Sequence, residues 1–446
     1  MSLETRRIFQ TWWPLAFSWL LMGFELPAVS AVMARLAEPQ ISLAAYGGVV
    51  FPLALIIEAP VIMLLAASTA LCRDWPSYLI VRRYMWGAAL VLTVVHALIA
   101  FTPLFDLVVG GVIGAPAEIQ PAARIGLGIM TPWSGAIAYR RFQQGVLIRF
   151  GRSRAVGAGT LVRLAGLATV LTVGGLFWNV PGIVVGASAV ATGVTAEAIV
   201  AGFWVRPVLR GPLRQAPPVV PALTFRAFLS FYVPLALTSL IGLIALPMGS
   251  AGMSRMPRAL DSLATWPVLN GFTFLFRGVG MAFNEVVVAT LDAPDAVNAL
   301  RRFARTAAAI GSGLYFVICA TPLIVLWLGT VSALPEPLVE LGRNAAWVFL
   351  LMPAHGFFQS FYQGILVDSR KTRAITEAIA VYLALSAVVL GVGIVWGRTP
   401  GLYFGLASVL LGAMGQLGWL RFRVAKELRR REIAAAAGAP SSAVLP

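Results

Sequence analysis

Between residues 9 and 420 the chain alternates long apolar runs with short breaks that are basic, polar or rich in proline and glycine. Most runs approach the ~20 residues an α-helix needs to cross a bilayer. The pattern predicts twelve helices, over 9–36, 42–70, 84–109, 122–148, 156–178, 182–205, 226–254, 262–290, 303–330, 337–366, 375–396 and 401–420. "RPVLRGPLRQAPPVVPALT" (Arg206–Thr224) reads as a short exposed connection, and "IAAAAGAPSSAVLP" (Ile433–Pro446) as a disordered tail.

The runs repeat. "TWWPLAF" (Thr11–Phe17) returns as "FYVPLAL" (Phe231–Leu237), placing Pro14 and Pro234 220 positions apart. "LPAVSAVMARL" and "LPMGSAGMSRM" keep that offset at Pro27/Pro247, Ser30/Ser250, Met33/Met253 and Arg35/Arg255. "TPL" (Thr102, Thr321), "QGVL"/"QGIL" (Gln144, Gln363) and "PG" (Pro181, Pro400) recur at 219. The expected organisation is a six-helix lobe over 1–205, a linker over 206–224, a second six-helix lobe over 225–424 and a tail over 425–446. Six helices per half make the repeats parallel, about an axis along the membrane normal, with a binding seam between the lobes near the bilayer midplane.

Composition supports an all-α polytopic membrane protein: 59% of residues are hydrophobic and only 12% charged, where soluble chains carry about a quarter. The net charge of +16 could indicate nucleic acid, but its placement argues otherwise. With the amino terminus inside, the inner connections and tail collect 26 of the 34 basic residues, among them Arg73, Arg82, Arg83, Arg140, Arg141, Arg152, Arg210, Arg301, Arg370 and Arg423. Arg35, Arg124, Arg255, Arg258, Arg343 and Arg398 fall outside. This asymmetry places both termini in the cytoplasm of a bacterial-type cell, in the inner membrane. A Trp-rich first helix followed by further spans argues against a cleaved signal peptide. Cys72 and Cys319 lack metal-ligand spacing, and His96 and His355 lie in apolar helices, where burial with a hydrogen bond is the expected state. No nucleophile, acid–base pair or metal cluster stands out, so neither enzyme nor cofactor is expected beyond a coupling H⁺ or Na⁺. The expected partners are a small-molecule substrate and membrane lipid, and the chain is expected to be a monomer.

Charges inside apolar helices cost roughly 2.5–3.5 kcal/mol each and mark function or pairing. Glu25 lies in helix 1 and Glu58 in helix 2, two residues before Pro60. In helix 8, Asn270, Thr273, Arg277, Gly280 and Asn284 step by 3, 4, 3 and 4, forming one polar stripe, with Glu285 beside it. Arg277 stands 219 positions after Glu58, so the halves present opposite charges at equivalent places. The two can form a structural ion pair, or a site where an anion or proton intervenes. Arg35 and Arg255 are either an outer anion vestibule or interfacial anchors. Glu285 and Arg163 are expected to snorkel to the cytoplasmic face, and Glu197 to be a packing partner within its lobe.

The segments "QGVLIRFGRSRAVGAG" and "QGILVDSRKTRAITEA" resemble the turn that repeats in each lobe of the MATE-like, or MOP, exporter and flippase superfamily. The loop "LCRDWPSYLIVRR" lacks the glycines and spacing of the major-facilitator signature. Within the MOP superfamily, "WWPLAF", "AAYG", "VPLAL", "ATWPV" and "PGLYFGLASVLLGAMGQ" are similar to the progressive ankylosis (ANK) branch. The resemblance implies a V-shaped pair of lobes, alternating access and export of a small organic solute; the ANK branch implies anions such as citrate or phosphate compounds. Glu25 is comparable in helix and depth to the helix-1 acid of MATE-like exporters, although that acid is usually Asp. A cationic multidrug exporter and a lipid-linked precursor flippase are the alternative readings.

Overall fold

The computed structural model describes residues 5–436 apart from 292, 294, 295, 370 and 372, and only the backbone at 426 and 430–436. Arg370, Lys426, Arg430 and Arg431 of the expected inner-side set, and most of the expected tail, therefore lie outside the described side chains. The chain is 87% helical with no strand among the described residues, and it is a polytopic all-α membrane protein.

Ten described helices are long and apolar enough to cross a membrane, against the twelve expected. Helices 1 to 3 run over Thr5–Met33, Pro39–Leu71 and Trp75–Phe101, helices 5 to 9 over Ser153–Phe177, Gly182–Gln215, Phe225–Ser254, Ala259–Thr290 and Ala296–Ala320, and helices 11 and 12 over Arg373–Trp396 and Gly401–Ala425. The other two segments are equivalent members of the repeat. Helix 4 is broken at Met130 into Gln120–Ile129 and Thr131–Arg149, and helix 10 into Glu336–Ala346 and Met352–Asp368. Arginines and glutamines lower the apolar content of helix 4, and its polar side chains turn inward instead of toward lipid.

The repeat is visible in bonds as well as in spelling. Ser42 Oγ accepts from Ile183 N at 3.1 Å, and Ser262 Oγ from Leu402 N at 3.0 Å. Glu38 and Arg258, both at positive φ, immediately precede helices 2 and 8. Helices 2 and 8 break at the equivalent residues Met63 and Ala282. The repeated glycine of "QGVL" and "QGIL" also has a physical cause. A Cβ on Gly145 would overlap Ser68 Oγ and the Leu65 carbonyl, and one on Gly364 would stand 2.7 Å from Val287 Cβ. Helices 4 and 10 thus press directly onto the second segments of helices 2 and 8, the close approach that small residues permit in membranes.

The chain forms two compact units, Val32–Ser254 and Met1–Ala31 with Arg255–Pro446. These differ from the sequence halves by a reciprocal exchange: helix 7 packs with helices 2 to 6, and helix 1 with helices 8 to 12. Within the Val32–Ser254 unit, Tyr232 of helix 7 donates its hydroxyl to Pro60 O at 2.7 Å. Within the other unit, Trp12 of helix 1 donates Nε1 to Val279 O at 3.0 Å, and its ring lies 5.4 Å from Phe303. Trp12 and Tyr232 are equivalent residues of the two Pro-Leu-Ala phrases, and Pro60 and Val279 are equivalent acceptors.

Candidate functional site

Helix 4 builds a polar core in the Val32–Ser254 unit. Trp133, Arg140 and Gln144 are separated by seven and four residues, close to whole helical turns, so they share its inward face. Trp133 donates its indole N–H to Glu58 Oε2. Glu58 is 4% exposed, and among the described residues this indole is its one hydrogen-bond donor. Arg140 Nη1 donates to Glu197 Oε2 at 2.5 Å and Gln144 Nε2 to Glu197 Oε1 at 2.8 Å. Arg163 of helix 5 brings Nε to 3.8 Å from the same carboxylate. Glycines let helices 5 and 6 approach closely enough for this: a Cβ on Gly193 would lie 2.8 Å from the Arg163 carbonyl.

Glu197 is therefore a packing partner inside its unit, as expected. Arg163 is not a snorkelling residue. It is buried, because Glu197 offers it a counter-charge that apolar surroundings otherwise deny. Arg140 and Arg141 likewise depart from the expected inner-surface role. Arg140 is 6% exposed; Arg141 is half-buried, and its Nε has no hydrogen-bond partner. Reading helix 4 only by the positive-inside rule misses these residues. The signal that finds them is Glu197, a lone carboxylate in an apolar helix, which requires a cation within the same bundle.

The equivalent positions in the second half are uncharged. Arg140, Arg141, Arg163 and Glu197 correspond, at an offset of 219, to Gln359, Ser360, Tyr382 and Gln416, while Glu58 corresponds to Arg277. Arg277 buries its Nε without a hydrogen-bond partner, and no carboxylate forms an ion pair with it among the described residues. Helix 10 passes directly beneath it: a Cβ on Gly356 would lie 2.7 Å from the Arg277 carbonyl. His355 is buried, but neither ring nitrogen has a hydrogen-bond partner among the described residues, against the expected state. His96 is buried too, with Nε2 3.1 Å from Leu127 O.

The helix 8 stripe divides. Thr273 is buried with its hydroxyl 3.2 Å from Tyr315 Oη, and Gly280 packs on the Gly356–Phe357 backbone. Asn270 and Asn284 are half-buried, with Asn284 just beyond the helix break, and Glu285 is exposed. Glu25 is half-buried at the first residue after the break in helix 1. Arg35 and Arg255 are exposed in the turns that follow helices 1 and 7. Glu58 and Glu25 thus belong to different compact units, as do Arg35 and Arg255.

No protein-family model matches the chain, and no curated relative matches it. Solved structures do. A MATE-family multidrug resistance transporter of the MOP superfamily, in an inward-facing conformation, superposes with a TM-score of 0.65 at 16% identity, covering 92% of this chain and 98% of that one. The lipid II flippase MurJ, in an inward closed conformation, gives 0.70 at 14% identity over 94% and 91%. A eukaryotic MATE transporter gives 0.62 at 12% identity over 97% and 99%. At these identities the likeness is one of fold, and the fold is that of the MATE and MurJ structures.

Proposed function

We propose that the protein is a secondary transporter of the MOP type that exports a small organic anion, citrate-like or a phosphate compound, by alternating access coupled to H⁺ or Na⁺. The observation that carries this reading is a surplus of unpaired, half-buried positive charge. Arg141 and Arg277 each bury an Nε that has no hydrogen-bond partner, and neither forms an ion pair among the described residues. A guanidinium held partly out of water favours a counter-charge, and its planar fork suits carboxylate or phosphate oxygens. Glu58 and Glu25 are the candidate groups for the coupling ion, and Asn270, Asn284 and Glu285 the further candidates for contact with solute or ion. Arg35 and Arg255 are candidates for an outer vestibule. The short motifs of the ANK branch favour the same solute class. The orientation is termini-inside in a cell membrane, and the active form is a monomer.

Multidrug export and movement of a lipid-linked precursor, named for the fold neighbours, are the competing readings. A thermal-shift series on the purified protein separates the anion reading from multidrug export. Citrate or pyrophosphate raises the melting temperature if the reading holds. Stabilisation by cationic dyes alone, with no response to any anion, overturns it.

A further inference from the structure

The polar core of the Val32–Ser254 unit contains three cations, Arg140, Arg141 and Arg163, and two carboxylates, Glu58 and Glu197. They are not shared evenly. Glu197 receives Arg140 at 2.5 Å, Gln144 at 2.8 Å and Arg163 at 3.8 Å, so one carboxylate is committed to two of the guanidiniums. Glu58 receives a neutral indole, that of Trp133, in place of a guanidinium. Arg141 is then the cation left over. It lies eight residues beyond Trp133 on helix 4, roughly 12 Å along the axis. It is half-buried and therefore open to a ligand, with its Nε unpartnered. Arg140, Arg141 and Arg163 all belong to the cluster around Glu58, and among the described residues none of them forms an ion pair with it.

We infer that Arg141 is an anion-binding residue of this unit, taking a carboxylate or phosphate group of a soluble anion, and that Glu58 is its internal counter-charge, accepting a proton when the bound anion carries more than one negative charge. This rests on the anion-transport reading above. The charge count gives the reason. With both glutamates ionised the set sums to one positive charge, which a single negative charge neutralises. A further negative charge on the ligand can be matched from within by one proton. Glu197 is already engaged by Arg140 and Arg163, whereas Glu58 has no guanidinium bonded to it and is the carboxylate left to take the proton. The remaining polar groups around Glu58 do not compete. Trp133 does not titrate near neutral pH, and the phenols of Tyr232 on helix 7 and Tyr84 on helix 3 are neutral there. Anion affinity and proton affinity at Glu58 are reciprocally linked.

Calorimetry on the purified full-length protein, repeated in buffers of different ionisation enthalpy, counts protons taken up as acetate, citrate or pyrophosphate binds. Wild type is expected to take up about one proton with citrate and with pyrophosphate, and none with acetate. E58Q is expected to bind both polyvalent anions without proton uptake and with less dependence on pH than wild type. R141Q is expected to lose binding at least tenfold, and R141K, which keeps the charge but not the fork, to be intermediate. Wild-type affinity in a folded R141Q overturns the site, and if R141Q fails to fold, wild-type affinity in R141K does so. Unchanged proton uptake in E58Q overturns the coupling. If wild type binds none of the three anions, the anion-transport reading fails together with this inference; binding that ignores Arg141 and Glu58 leaves that reading standing and removes only this one.

Discussion

Arg140 and Glu197 meet at 2.5 Å in the interior of the Val32–Ser254 unit, their side chains 7% and 0% exposed. One carboxylate on helix 6 thereby ties together helices 4, 5 and 6, since Gln144 and Arg163 converge on it as well. Removing one partner of such a pair strands the other, at a cost of about 3–5 kcal/mol. E197A is therefore expected to lower the melting temperature of the detergent-solubilised protein sharply. The second half of the chain supplies its own replacement set at the equivalent positions, Gln359, Tyr382 and Gln416. The triple variant R140Q/R163Y/E197Q, which copies them, is expected to recover most of the loss. A triple variant no more stable than E197A contradicts the equivalence.

Trp133→Phe keeps a ring in place but removes the N–H that meets Glu58. A buried acceptor left without its donor costs about 1–3 kcal/mol. The loss is expected in W133F and to be reduced in W133F/E58Q, where no carboxylate remains. Equal losses in both variants, read by thermal unfolding, would show that the ring's packing and not its hydrogen bond is responsible.

Gly145 and Gly364 are equivalent glycines at which an added Cβ would fall under 3.0 Å from helix 2 or helix 8. Adding a methyl at either forces helix 2 away from helix 4, or helix 8 away from helix 10, and overpacking costs typically 1–3 kcal/mol. G145A and G364A are expected to lower folded yield and melting temperature. Gly157, where an added Cβ meets nothing within 4 Å, is the control, and G157A is expected to behave as wild type.

Asp74 caps helix 3 by accepting from Ser77 N at 3.0 Å, and it also accepts from Val219 N of the linker at 2.8 Å. Burial alone would raise its pKa, but the hydrogen bonds from Ser77 and Val219 outweigh burial and hold the carboxyl below its ordinary value. A pKa depressed in the folded state gives stability that is complete above the unfolded value of about 3.9. It is lost as pH falls through the lowered native value. D74A is expected to cost about 1 kcal/mol at pH 7 and to flatten the acid limb of the stability curve. An acid limb identical to wild type contradicts the assignment.

Much of this was legible in the residues. Helix positions followed from apolar run length, and the phrases at Pro14 and Pro234 located the repeat that reappears in paired hydrogen bonds at Ser42 and Ser262. The exchange of helices 1 and 7 between the compact units was not, because the length of an apolar run carries no facing signal, and only Trp12 and Tyr232 reveal their partners once placed. The inward turn of Arg140 and Arg163 is hidden for a related reason: basic residues near a helix's inner end satisfy the positive-inside rule whether they point to water or to a carboxylate. Asn270, Thr273, Arg277, Gly280 and Asn284 share a face by spacing, yet Thr273 and Gly280 spend it on packing. Spacing fixes direction around a helix, not what waits there.

The central claim is that this fold moves an anion, and uptake into proteoliposomes tests it most directly. Vesicles reconstituted with wild-type protein and loaded with citrate or pyrophosphate are expected to exchange the labelled anion across the membrane. E58Q is expected to lose the dependence of that exchange on a pH gradient, and R277A and R141Q to lose the exchange itself. Exchange of neither anion by wild type, alongside transport of a cationic dye, would contradict the account.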